Sequence, residues 1–404
     1  MNEHILVIHR WRDHYARYED YVDHHADRVT YVTTALARPA IPGGAVEVVT
    51  VSATDDFAEV CKAADALVER FGVPARVIAL NEGDLDTAAM LRVYLGCPGQ
   101  APMQLARFRD KLTMVQLVAA AGIRTPEFAD APDADAVREF GGQHGWPVVV
   151  KPRRGTASRG VVRLDSADDL VRLSDLPAEP RLVQRFCADP IYHVDGLWTG
   201  TQLGPWRASR YLNTCVDFTA GAALGSVEVD DETLLDYLGE FAAAVAGALS
   251  DEPWVFHMEL FVGSVANGPP QLTFLEVGYR VGGAEIPFVW REVHGVDLMA
   301  AAIDVQLGRQ PAIASPSSWR TGGWLLVPTP VPAPCRVVAT KLDLAPDEGP
   351  YASVVPPIGY LIPRVGGYEH VGARFRFQGA RTDDVEKAIV TTASRFRLDC
   401  VAEQ

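Results

Sequence analysis

At 404 residues the chain exceeds what one compact core holds, so roughly two to four packed units are expected. Its 48% apolar and 22% charged residues are an ordinary globular mix, and a formal net charge of −15 argues against the phosphate backbone of nucleic acid as its main partner. No apolar run reaches the roughly eighteen residues of a membrane span.

The N-terminus, MNEHILVIHR, holds a short apolar strand at 5–8, too short for a signal peptide. The six cysteines (61, 97, 187, 215, 335, 400) are scattered and suit reduced thiols, so a cytoplasmic location is expected. Strands are expected at 46–51 and 77–80. Between them 57–71 has helical spacing, with Phe57, Val60, Cys61, Ala64, Leu67 and Val68 on one face. The alternation predicts a Rossmann-like parallel sheet with ligand loops at its strand C-ends, yet no G-x-G-x-x-G follows the first strand. A helix at about 109–121 carries Lys111. An extended stretch at 123–128, a helix at 133–144 and strands at 147–151, 160–164 and 181–186 read as a small α+β lobe. A larger block follows, with strands near 191–199, 254–262 and 271–277 and helices at 231–249 and 296–307. The proline-rich stretch 327–334 leads into a β-rich tail and a last helix at 382–395. The expected division is 1–105, 106–187 and 188–404, in the α/β and α+β classes.

Only five lysines stand against 32 arginines, so a retained lysine is informative, because the two cations differ in shape and hydration. Lys151 ends the apolar run Val148-Val149-Val150, and the loop after it holds Arg153, Arg154 and Arg159, with Gly155 and Gly160 at G-x-x-x-x-G spacing. A Walker A loop would place Lys and then Ser or Thr after the second glycine, whereas Val161 and Val162 continue a strand. The loop is therefore a β-hairpin. It reads either as a cover for phosphates or as a solvated arginine-rich turn.

The apolar segment WVFHMELFV carries His257 and Glu259, and QLTFLEVGYR carries Glu276 and Arg280. A hairpin centred near Asn267-Gly268 sets Glu259 opposite Glu276, with Cβ atoms about 5 Å apart. Two ionised carboxylates that close on half-buried strands are costly without a cation. With no accompanying His or Cys pair, the donors suit Mg²⁺, which takes the rest of its shell from water and phosphate oxygens.

In this order, Lys111, Val148 to Pro152 with its hairpin, Leu182-Val183-Gln184-Arg185-Phe186, Phe256-His257-Met258-Glu259 and Phe274 to Arg280 resemble the ATP-grasp superfamily, of the carboxylate–amine (amino-acid) ligase type. The resemblance covers about residues 75–310, and Asn81-Glu82 and Arg107 to Lys111 add to it. It implies an ATP-grasp fold with a small lid lobe and a large antiparallel-sheet domain. Lys111 and Lys151 would contact ATP phosphates, and 153–160, with Arg153, Gly155, Ser158, Arg159 and Gly160, would form the lid. Gln184, Phe186 and Cys187 would lie along the adenine edge, and His193 near the ribose. Glu259 and Glu276 would hold Mg²⁺, with Mn²⁺ as the other suitable ion, and Arg280 and Lys151 would act in catalysis. The pattern departs at Gly278, where the family carries Asn, and at Gln184, where the hinge usually begins with Glu.

The expected reaction is ATP-dependent activation of a carboxylic acid, amino acids included, as an acyl phosphate, then transfer to an amine. Arg280, the amides of Gly282 and Gly283, and Glu285 on a substrate ammonium would hold the acid. The rival expectations are a carrier thiol or bicarbonate as second substrate, or a non-catalytic ATP-binding protein. Small-molecule acid and amine partners and a homodimer are the associations expected.

Overall fold

The computed structural model describes residues 3–12, 15–156, 158–214, 218, 221–266, 268–311, 320–345, 348–364 and 371–403. The N-terminal unit is a parallel sheet in the order Glu47–Val51, Arg28–Thr34, His4–His9, Arg76–Ala79. The Arg28–Thr34 strand was not expected: three threonines and an arginine mask its buried valines and Tyr31. The helix Phe57–Phe71 stands as its spacing predicts, capped by Asp56, which accepts from Ala58 N and Glu59 N, and ended by Gly72 at φ 80.

The helix expected at 109–121 runs over Lys111–Ala120, and a helix that was not expected, Pro102–Arg109, precedes it. Asp110 between them is extended, and its carboxylate caps the second helix by accepting from Leu112 N and Thr113 N. Lys111 therefore sits on the first turn beside the neighbouring lobe, with its N–H donating to Arg153 O.

The small lobe is an antiparallel sheet in the order Phe128–Asp130, Arg181–Arg185, Val148–Pro152, Val162–Leu164. Helix Ala134–His144 covers it through Val137 and Phe140, which pack on Val148, Val150 and Val183. The chain then enters an eight-stranded antiparallel sheet, ordered Gln271–Gly278, Trp254–Gly263, Ile191–Trp198, Leu203–Tyr211, Leu224–Glu228, Thr321–Val327, Ala373–Gly379, Ala352–Val354. One face packs on helix Glu232–Leu249, where Leu238, Ala242 and Val245 meet Trp198, Trp254 and Phe256. Helices Ile286–His294 and Leu298–Leu307 lie in the other apolar cluster with Val255 and Trp324. The tail is no appendage: Thr321–Val327 and Ala373–Gly379 complete this sheet in a seven-residue register. Among the described residues, no helix is long and apolar enough to cross a membrane.

Candidate active site

Strands Trp254–Gly263 and Gln271–Gly278 pair antiparallel, with Glu259 directly opposite Glu276 and the register shifting just after them. Alternation along both strands puts the two carboxylates on the face turned toward the small lobe, where both line the cavity described below. The turn expected at Asn267-Gly268 has Asn267 outside the described residues. Glu259 accepts from Tyr211 Oη at 2.9 Å and lies 3.6 Å from His257 Nε2. Burial opposes its charge, but His257 and Tyr211 outweigh burial and hold its carboxyl below the usual range. His257 Nδ1 meets Asp195 Oδ1 at 2.9 Å, and against the effect of burial Asp195 raises that imidazole to about 9. The imidazolium thus compensates Glu259.

Two lysines converge on the other carboxylate. Lys111 Nζ lies 3.6 Å and Lys151 Nζ 3.9 Å from Glu276 Oε2, and Lys111 also donates to Gly155 O at 3.1 Å. Burial pulls Lys151 down to about 8, with Glu276 working against it and Lys111 adding to it.

A cavity of about 670 Å³ opens between the small lobe and the large sheet. Lys151, Gly155, Ser158, Arg159 and Gln184 line it from the small lobe, Phe186 and Cys187 from the crossover, and Glu259, Phe261, Leu275 and Glu276 from the large sheet. That volume lies within the usual size range of small-ligand sites. A recess of about 20 Å³ shares Lys111, Glu259 and Glu276 with it and adds Glu82, Arg109, His257 and Arg280. There Glu82 accepts from Arg280 Nε at 2.7 Å and from Arg109 Nη1 at 2.5 Å. Although it is buried, the charges of Arg280, Arg109 and Lys111 pull its carboxyl down to about 2.

Six expected site residues lie elsewhere. Arg153 turns away to Asp110, with Nη2 2.7 Å from Oδ2, because the capping carboxylate is the nearer anion. Gly160 packs on Pro152 at φ 70 rather than lining the cavity. His193 is 1% exposed and does not line the cavity; its two ring nitrogens meet Asp195 Oδ2 at 2.6 Å and Ser226 Oγ at 2.8 Å. A Cβ on Gly282 would stand 2.4 Å from Asp195 Oδ1, so this glycine makes room for the His–Asp pair. Gly283 O accepts from Ile286 N, the turn that starts the next helix. Glu285 is fully buried, 3.1 Å from Arg374 Nη1 and 3.2 Å from Arg376 Nε, so two guanidinium groups already face its charge.

Asp195 and Tyr211 were missed. The signal for Asp195 was its place two residues after His193 on an otherwise apolar strand, the same-face spacing of a strand. His193, Asp195 and His257 could in number hold a metal, but both Nδ1 atoms sit at hydrogen-bond distance from one carboxylate, which makes them a proton-sharing trio.

No family model matches the chain. The L-arginine-specific L-amino acid ligase of Bacillus subtilis is 20% identical over 261 residues, 62% of each chain. The chain spans less than two thirds of the length of the curated relatives it matches. Among solved structures, an L-amino acid ligase from Bacillus licheniformis superposes with a TM-score of 0.73 at 16% identity, covering 100% of this chain and 99% of that one. A carboxyaminoimidazole ribonucleotide synthase from Aspergillus clavatus, complexed with ATP, gives 0.69 at 14% identity over 98% and 99%.

Proposed function

We propose that this chain, which has the ATP-grasp fold, is an ADP-forming ligase that joins a carboxylic acid to an amine, with amino acids as the leading acid class. The observation that carries the reading is the meeting of Lys111, Lys151 and the Glu259–Glu276 pair where the large cavity opens into the Arg280 recess. A nucleoside triphosphate in the cavity would bring its phosphates to the two lysines. An acid whose carboxylate reached Arg280 at the recess would then lie beside those phosphates.

The two carboxylates fit a hard divalent cation: the donors are all oxygen, and Glu276 is 36% exposed toward the cavity. Glu259 and Glu276 would hold such a cation, Mg²⁺ by its chemistry, and it would supply charge neutralisation for the phosphates. The chain's own groups do the rest. Lys111 and Lys151 attract the phosphates, and Lys151 carries its proton below about pH 8. Arg280 offers a planar fork to the acid's carboxylate, which would take the place Glu82 now holds. The acid oxygen attacks the terminal phosphorus as ADP leaves, and the amine then attacks the acyl carbon as phosphate leaves. Such chemistry needs positioning and charge neutralisation more than a protein nucleophile.

The test is ADP and phosphate release with a panel of amino acids and amines. Acid-dependent ADP release with equimolar amide product supports the reading. Nucleotide binding with no release for any pair would reduce the chain to a nucleotide-binding protein.

A further inference from the structure

Gln184 lies on strand Arg181–Arg185 with its side chain lining the nucleotide-sized cavity. It is 3% exposed, and its Nε2 has no hydrogen-bond partner. A buried amide left unpaired is costly, and such groups are few in folded proteins. The same cavity is lined by Val149, Phe186, Ile191, Phe261 and Leu275 as well as by charged groups. The apolar residues suit a heterocycle; of the two side-chain amides among the described residues that line the cavity, Asn213 is bound to Ala223 O and Gly225 N, which leaves Gln184 to read its edge.

A purine's six-membered edge comes in two patterns. With a 6-amino group it shows a donor at N6 and an acceptor at N1. With a 6-oxo group it shows an acceptor at O6 and a donor at N1–H. A primary amide carries one acceptor and one donor side by side, so it matches either pattern after a half-turn about its last bond. A carboxylate accepts only and cannot serve an O6. Among the described residues no hydrogen bond holds the Gln184 amide in one of its two orientations, so the half-turn breaks nothing.

We infer that the base subsite takes 6-oxopurine nucleotides alongside 6-aminopurine ones, with Gln184 as the residue that sets this breadth. The inference rests on the reading of the cavity as a nucleotide site. Titration calorimetry of the full chain with MgADP and with MgIDP, whose bases differ only at this edge, separates the two ideas. MgADP and MgIDP dissociation constants within about thirtyfold of each other are expected, far below the discrimination of about 10⁴-fold or more that a fixed polar site achieves. Tight MgADP with MgIDP weaker by more than that overturns the inference and leaves the ligase reading standing. Binding of neither overturns both. Gln184→Glu should shift the preference toward MgADP by about tenfold or more. Gln184→Leu, which adds no charge to the slot, should weaken both nucleotides about equally. Unchanged affinities in the Leu variant would place Gln184 away from the base and overturn the inference.

Discussion

Glu276 is the more exposed of the two facing carboxylates, at 36% against 16% for Glu259, and both lysines reach toward it. Removing it takes away one cation ligand and the counter-charge of buried Lys151. Glu276→Ala is expected to lower ADP release by about 10²-fold or more while the melting temperature holds, since the side chain is half in solvent. Release within a few-fold of wild type would dismiss the carboxylate pair as a cation site. Glu82 makes a pH prediction. Its carboxyl titrates at about 2 in the folded protein, against 4.5 ordinarily. A depressed acid contributes stability that is complete above the ordinary value and is lost as pH falls toward the folded one. Between pH 6 and 3.5 the contribution should drop by about 1 kcal/mol. The stability difference between wild type and Glu82→Gln, measured by denaturant titration, should narrow by that amount. A difference independent of pH would mean that Arg280 and Arg109 do not hold the ionised form.

At the level of elements, the loop 153–160 reads from sequence as a phosphate cover or a solvated arginine-rich turn, and the structure pairs two of its three arginines with carboxylates. Arg153 is bound by Asp110 and Arg154 by Asp86, at 2.7 Å each, while Arg159 is exposed and, among the described residues, bonds only to Thr156 within the loop. Trypsin should therefore cut the free protein first after Arg159, and Mg-ATP should slow that cut. Equal cutting with and without nucleotide would count against a phosphate-covering loop. The hairpin bearing Glu259 and Glu276 was legible because strand periodicity and a short turn fix which residues face each other, a purely local matter. The break at Asp110 was less so: a capping aspartate within a helical pattern is visible, but the pattern resumes after it without a gap. The strand Leu203–Tyr211 was hidden, since Gly204-Pro205 and two arginines obscure its alternation. His193 was misplaced for a different reason. Strand position told which face it occupies, but its partner Ser226 lies on Leu224–Glu228, which reaches it only through the pairing of the strand Leu203–Tyr211 that had not been found.

Across the whole molecule, the sheet that carries the site is closed by the C-terminal tail, which the sequence presents as a separate β-rich stretch beyond its prolines. What ties the two is a buried charge cluster that no local pattern announces. Glu285, at the start of helix Ile286–His294, faces Arg374 and Arg376 on the strand Ala373–Gly379, nearly ninety residues later. Arg376 also pairs with Glu292, and Arg374 with Tyr15 Oη at 3.3 Å, so the cluster joins the N-terminal unit, the helix and the tail. Breaking a buried pair by removing one partner leaves a charge without compensation, at a cost of about 3–5 kcal/mol. Arg374→Ala should come near the lower end of that range, because Arg376 still faces Glu285. Glu285→Ala, which strands two guanidinium groups, should cost at least as much. Both should keep MgADP affinity within a few-fold when measured well below their melting temperatures, since the cluster does not line the cavity. If Glu285 instead bound a substrate ammonium, its alanine variant would melt like wild type and raise KM for the amino-acid substrate. Thermal melts of the two variants beside substrate titrations decide which charge Glu285 serves.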